Sequence, residues 1–326
     1  MIHRRALLAS AVALPFVRPV RAQEARDELQ SALDMQDQLH SLQVMQGDEM
    51  LIEAAPRGPG LDALANIKSC SKSLVALMLG QVIARGDISG VDATLAEVAP
   101  DLIPADADPQ VRNITMQDFV TLRAGLESTS GGNYGAWISS GNWVANALSQ
   151  PMQSAPGSRM IYSTGSTHVL GAALSEASGE SLLSLMRSEL GDPLGIEIPP
   201  WVRDPQGYYM GGNQMALTPR AMLRVARMMR DEGRWQDTQV IPRDWVEASL
   251  EPRTRSPFSG YSYGYGWFLT GSGYVLARGY GGQVIAAHPG RDLAVAITSD
   301  PTRPARSGGY FGVLSDLLDG PILALA

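Results

Sequence analysis

The spacing of apolar positions changes twice along the chain and divides it into three stretches. Between Glu24 and His40, Leu29, Leu33, Met35 and Leu39 fall mostly at helical intervals and predict a helix. Two short apolar runs follow, Leu42–Met45 and Met50–Ala54, on either side of Gln46-Gly47-Asp48-Glu49, and predict a β-hairpin. Ser71–Arg85 is apolar almost all round and stops at Gly86, a residue suited to ending a helix. Residues 87–115, rich in Pro, Asp and Gly, read as a wandering loop. Helical spacing dominates the middle stretch, over 116–123, 141–149, 165–176, 180–189 and 218–232. Pro242–Leu250 adds a short helix with proline in its first turn, where a missing N–H costs nothing. The period then becomes two: Tyr261–Leu269, Tyr274–Arg278, Gln283–His288 and Leu293–Ser299 read as strands joined by Gly-rich turns, before a last helix over Gly308–Leu318.

Strands at both ends and helices between them predict an α/β (α+β) architecture: an antiparallel sheet built from both termini, flanked by helices, with an inserted, mainly helical lobe. The sandwich lobe is expected over about 23–65 and 235–326, and the helical lobe over about 66–234. A groove between two such lobes is a natural place for a site.

Composition narrows the function. A chain of 326 residues with 44% hydrophobic content buries a sizeable core and is not disordered. One cysteine, Cys70, excludes a disulfide scaffold. The net charge of −7 has the wrong sign for a nucleic-acid surface. The first 22 residues hold four arginines and no acid, with an apolar run, Ala6–Val17, too short to span a bilayer. They have the layout of a cleaved export signal, and Arg4-Arg5 before Ala-Leu-Leu resembles the twin-arginine type. Its removal leaves 22 basic against 33 acidic residues, or −11, in a periplasmic or secreted chain with no membrane span. A lone cysteine is compatible with such an oxidising compartment.

The chemistry concentrates at Ser69-Cys70-Ser71-Lys72. Near a helix start, a serine three residues before a lysine shares a face with it. An amine whose pKa is depressed, there by the helix dipole, can take the serine's proton. The helix end also offers a backbone N–H to an oxyanion. Only two of the 26 basic residues are lysines, Lys68 and Lys72, and both flank Ser69. Arginine cannot be deprotonated in a protein, so Lys72 is placed for proton transfer, with Lys68 a flanking cation.

The segment Asn66-Ile67-Lys68-Ser69-Cys70-Ser71-Lys72-Ser73 resembles the nucleophile segment of the serine β-lactamase-like superfamily, in the branch that holds class C β-lactamases, D,D-peptidases, family VIII esterases and 6-aminohexanoate-dimer hydrolases. The resemblance runs over roughly 38–300 and implies a sheet of about five antiparallel strands beside a helical lobe. It makes Tyr162, in Pro156-Gly157-Ser158-Arg159-Met160-Ile161-Tyr162-Ser163-Thr164, the partner of Lys72 in moving a proton, as phenolate or hydrogen-bonded phenol. Thr164 stands where β-lactamases place Asn, which weakens a lactamase reading. The third motif falls on Arg278-Gly279-Tyr280-Gly281-Gly282-Gln283, where Tyr280 replaces a cation; Arg278 is the nearest substitute. The resemblance gives the oxyanion the N–H groups of Ser69 and Gln283. Substrate contacts are then expected from Tyr280, Gly281 and Gly282, from Tyr134 and Trp137 in an aromatic loop before the second motif, and from Asn213.

Other signals are set aside. Gly260-Tyr261-Ser262-Tyr263-Gly264 has the nucleophile-elbow pattern without the strand-then-helix context it needs. His3, His40, His168 and His288 form no catalytic or metal spacing, and Cys70 is out of register with Lys72. The expectation is an exported serine hydrolase that cleaves a small-molecule ester or amide through an acyl-enzyme on Ser69, with no cofactor, metal or nucleic-acid partner. A β-lactamase or D,D-peptidase, and an idle peptidoglycan- or ligand-binding module, are the alternatives.

Overall fold

The structure is a computed structural model that describes the backbone of residues 17–326 and side chains from Gln23 onward. The export segment expected over residues 1–22 lies outside these apart from the backbone of 17–22. The helix α1 (Val17–Met35) is followed by the hairpin β1 (Leu39–Gln46) and β2 (Glu49–Ala54). Helix α1 ends before Asp37-Gln38, so Leu39 and His40 belong to the strand and not to the expected helix.

Apolar all round, α2 (Ser71–Ala84) is buried on every side through most of its length, as its composition requires. Residues 87–115 are less irregular than their composition suggests. Thr94 and Glu97 form a reciprocal capping box, which starts a short helix at Leu95–Val98. Thr115 and Asp118 repeat the device before Met116–Val120. The helices α3 (Thr164–Ser178) and α4 (Pro219–Arg230) match expectation to within a few residues.

The expected strand Tyr261–Leu269 is broken. Thr254–Arg255, Ser262–Tyr263 and Phe268–Leu269 form three short strands, β3, β4 and β5. β4 and β5 pair with each other around Gly264-Tyr265-Gly266-Trp267. Gly266 has a left-handed backbone and lies on Ala76 of α2, which bends the chain back on itself. The long strands β6 (Val275–Gly279), β7 (Gln283–His288) and β8 (Leu293–Ser299) follow, then the C-terminal helix α5 (Tyr310–Leu317).

These strands make one antiparallel sheet of eight, in the order β2-β1-β8-β7-β6-β5-β4-β3. Five strands are long, the number the resemblance implies, and three have two residues each. Its long central strands are buried on both faces, and the pleat sends alternate side chains to opposite cores. Leu276, Val284, Ala286, Val295 and Ile297 face a core shared with α1 and α5. Ala277, Ala287, Ala294 and Ala296 face the opposite core, where their small side chains let helices approach closely. Here α4, which the sequence groups with the helical lobe, packs against β7 and β8. Its arginines at 220 and 224 turn outward while Met222, Val225, Ala226 and Met229 are buried. Each large side chain so buried contributes about 1.5–3 kcal/mol over exposure.

Candidate active site

The serine sits in a turn held from both sides. Ala65–Asn66 pairs antiparallel with Ala216–Leu217, and the Ile67 N–H donates to the Met215 carbonyl at 2.9 Å. Asn66 accepts the Lys68 N–H at 2.9 Å and donates its own amide to Gln214 at 2.5 Å. Lys68 is thereby held in the left-handed region, with φ 51°. For a residue with a side chain this costs on the order of 1–3 kcal/mol, and surrounding contacts must offset it. A single 3₁₀ turn, Lys68–Cys70, leads into α2. It leaves Ser69 on the cleft and buries Cys70, whose thiol donates to the Gln283 carbonyl at 3.5 Å. Burial pushes the Cys70 thiol far above its usual range, so it is no nucleophile.

Lys72 lies in the first turn of α2 and is 4% exposed. Its Nζ donates to the Gly212 carbonyl at 2.7 Å and to Thr164 Oγ1 at 3.1 Å, and reaches Ser69 Oγ at 3.5 Å. Burial lowers its pKa from 10.5 to about 7, and no carboxylate is near enough to oppose that. Thr164, the departure from the β-lactamase pattern, takes up the lysine's second hydrogen bond. Its Oγ1 also lies 3.0 Å from Ser130 Oγ, which accepts the Thr164 N–H at 2.8 Å. Ser130 and Gly212 are site residues that sequence reasoning missed. A main-chain carbonyl leaves no mark in a sequence beyond the glycine itself: Gly212 has φ +82°, and a Cβ there would stand 3.0 Å from Nζ.

Tyr162 faces the same cleft as Ser69, with its ring centroid 5.0 Å from Lys72 Nζ. Its packed surroundings push the phenol up to about 12. Burial thus favours the neutral form of both groups: it keeps the Tyr162 phenol protonated and makes the Lys72 amine easier to deprotonate. Lys72 is therefore the group of the pair able to accept a proton, and Tyr162 stays a phenol.

These residues open onto a cavity of about 480 Å³. Tyr134 and Asn213 line it together, the Asn213 amide donating to the Tyr134 hydroxyl at 3.0 Å. Phe258 and Tyr280, both mostly exposed, stand at its rim. Lys68 and Arg278 also line it, and no acidic residue does. Arg278 lies on the Phe311 ring, 3.5 Å from its centroid, and donates to Ser307 at 3.1 Å.

Four expected residues are not brought to the cleft. Trp137 is buried behind Tyr134, donating to the Trp143 carbonyl at 2.9 Å and backing the loop from the core side. Gln283, expected to offer its main-chain N–H, is fully buried at the start of β7 and is not on the cavity wall; its side-chain amide donates to the Ser299 carbonyl at 2.8 Å, and its Oε1 accepts the Ser299 N–H at 3.2 Å. Gly281 and Gly282 make the β6–β7 turn and are absent from the cavity wall. A side chain on Gly281 would strike the Asp300 carbonyl, and one on Gly282 would lie 2.6 Å from Tyr310. What reaches the cleft is the end of β6. β5 pairs with β6 only at Val275 and Leu276, which leaves the edge from Ala277 to Gly279 unpaired by β5 and packed against the Ser69 turn. Gly279 and Tyr280 are on the cavity wall. Ser262 is in β4, in register with Arg255 and Leu269, and does not line the cavity.

Fold and site together define a serine hydrolase. A family model described as beta-lactamase matches residues 41–310, and the chain belongs to that family. Among curated proteins it is 27% identical over 293 residues to esterase EstB of Burkholderia gladioli, covering 81% of this chain and 69% of that one. It is 23% identical over 308 residues to the 6-aminohexanoate-dimer hydrolase of Paenarthrobacter ureafaciens, covering 84% and 76%. Its fold matches a penicillin-binding protein homologue from Caulobacter crescentus with a TM-score of 0.69 at 17% identity, over 87% and 92% of the two chains. No helix among the described residues is long and apolar enough to cross a membrane, and no cluster of His, Cys, Asp and Glu among them is arranged to hold a metal.

Proposed function

We propose that this protein hydrolyses a small-molecule ester or amide through an acyl-enzyme on Ser69, with Lys72 as the base. One observation carries the reading: a buried lysine, its pKa lowered by burial and with no carboxylate partner, reaches the hydroxyl of a serine that faces a cavity. Ser69 Oγ attacks the carbonyl carbon while its proton passes to Nζ. The carbonyl oxygen becomes an oxyanion, held by the N–H of Ser69 and by an N–H just past the end of β6, for which Tyr280 on the cleft wall is better placed than Gln283, which is not on it. Lys72 returns the proton through the Tyr162 phenol to the departing oxygen or nitrogen as the C–O or C–N bond breaks. Water then adds to the acyl carbon and gives its proton to the same pair. Ser69 leaves with a proton restored, and the acid departs. One relative is named an esterase and the other a 6-aminohexanoate-dimer hydrolase, and the mechanism suits an ester or an amide bond alike. Export under the N-terminal signal is part of the proposal and rests on residues 1–22 alone.

The test is intact-mass analysis of early-quenched mixtures with p-nitrophenyl butyrate and a panel of p-nitroanilides. An acyl adduct that maps to Ser69, and its loss with all turnover in Ser69→Ala, is the expected result. Turnover of any substrate that survives undiminished in Ser69→Ala would sink the mechanism.

A further inference from the structure

His168 lies on α3, one turn beyond Thr164, and is wholly buried. Its Nε2 is 3.0 Å from Asp204 Oδ2, and both side chains are sealed from solvent. Its Nδ1 accepts the Gly211 N–H at 3.2 Å, so the single ring proton is on Nε2 and faces the carboxylate. The other Asp204 oxygen accepts the N–H groups of Gln206 at 2.9 Å and Tyr208 at 2.8 Å. Asp204 thus organises the loop leading to Gly211, and His168 clamps that loop onto α3. The next residue, Gly212, supplies the carbonyl that holds Lys72. The one after, Asn213, supplies the amide that holds Tyr134. The rings of Trp137 and Trp143 pack edge-on against His168 at 5.7 and 5.6 Å, which joins the Tyr134 loop to the same anchor.

We propose that the His168–Asp204 pair is a positioning device for the lysine base: through Gly211 it fixes the Gly212 carbonyl, which takes one Nζ proton and leaves the nitrogen lone pair aimed at Ser69. This rests on the reading of Lys72 as base. Neither residue touches the cavity, so both act through the main chain. Asp204 is the one charged group hydrogen-bonded to His168; the aromatic rings packed on it are those of neutral tryptophans. The pair's chemistry is one of tautomer: a proton moved to Nδ1 would face the Gly211 N–H and push the loop away.

Asp204→Asn breaks this. An amide cannot accept at both oxygen positions, so either His168 or the Gln206 and Tyr208 N–H groups meet a donor. The burst of p-nitrophenol release should slow about 10- to 100-fold with KM changed less than about threefold, as expected for a misplaced base. His168→Asn, whose amide oxygen can take the place of Nδ1, should be faster than His168→Phe. In the wild-type protein, ¹⁵N-histidine NMR should show a neutral Nε2–H ring at pH 7, a readout that needs no folded variant. An Nδ1–H ring, or an imidazolium, would overturn the inference. So would a wild-type burst rate in Asp204→Asn while Ser69→Ala is inactive. An active Ser69→Ala would overturn both this and the mechanism it rests on.

Discussion

Two buried ionisable groups lie on either side of the same pair of glycines and meet opposite fates. His168 has a carboxylate partner and a backbone donor, and every polar atom of its ring is occupied. Lys72 has only neutral acceptors, a carbonyl and hydroxyls, and burial takes its pKa down to about 7. A buried ring whose proton is held between two fixed partners is a fixture; a buried amine denied a countercharge is pushed towards its neutral, basic form. The molecule keeps carboxylates out of the cleft although acidic residues outnumber basic ones by 33 to 26 over the whole chain.

Removing the unpartnered group is the harshest test of this contrast. Lys72→Met should lower kcat/KM by about 10²- to 10⁴-fold. It should also change stability with a defined sign. The lysine titrates near 7 when folded against 10.5 ordinarily, so folding releases a proton between those values and the wild type gains stability as pH rises through that window. The Tm of the variant relative to wild type should therefore be highest at or below pH 7 and fall steadily towards pH 10. A flat difference would mean that Lys72 is not held neutral.

A subtler change gives the lysine what the histidine has. Thr164→Asp sets a carboxylate within reach of Nζ. A rise of two units in the lysine pKa would cut its neutral fraction at pH 7 by about 50-fold, with activity recovering towards pH 9. An unshifted pH profile would break the comparison, because a countercharge would then not matter.

The smallest effect concerns the wall opposite. Arg278 has no ion-pair partner among the described residues and lines a cleft without acids. Arg278→Met should raise KM about tenfold for a p-nitrophenyl ester whose acyl chain ends in carboxylate, and leave p-nitrophenyl butyrate within twofold. Equal effects on both esters would show the guanidinium serving only to pack on Phe311.

Much of this was legible in the chain, and the boundary has a physical basis. The Ser69–Lys72 spacing is local, and local spacing on a helix determines a shared face. The strands Gln283–His288 and Leu293–Ser299 announced themselves by period. What escaped depends on contacts between distant segments. Gln283 follows Gly-Gly in a motif that suggests a cleft residue, yet the pairing of β6 with β7 turns it inward and leaves Tyr280 on the cleft wall. Trp137 reads as a pocket aromatic because nothing local reveals that Trp143 and His168 enclose it. Asp204 lies in a stretch without periodicity, and its partner is 36 residues away in sequence. Thr94 and Thr115 show the opposite error: their capping boxes are local signals that proline- and aspartate-rich surroundings concealed.

The strand order also sets a clock. β1 near the start of the chain pairs with β8 near its end, and Ser41 meets Thr298 across 257 residues of sequence. The Ser69 turn rests on β6 and β7, also late in the chain. A ribosome adding about 5–20 residues per second makes the nucleophile many seconds before it makes the strands that complete the cleft. Until then the serine has no finished cavity around it, and a chain cut short before β6 carries Ser69 and Lys72 with nothing to hold them to their task. Synthesis of β6 to β8 is thus the event that arms the enzyme, and pairing across so long a separation makes that arming slow compared with the folding of its helices.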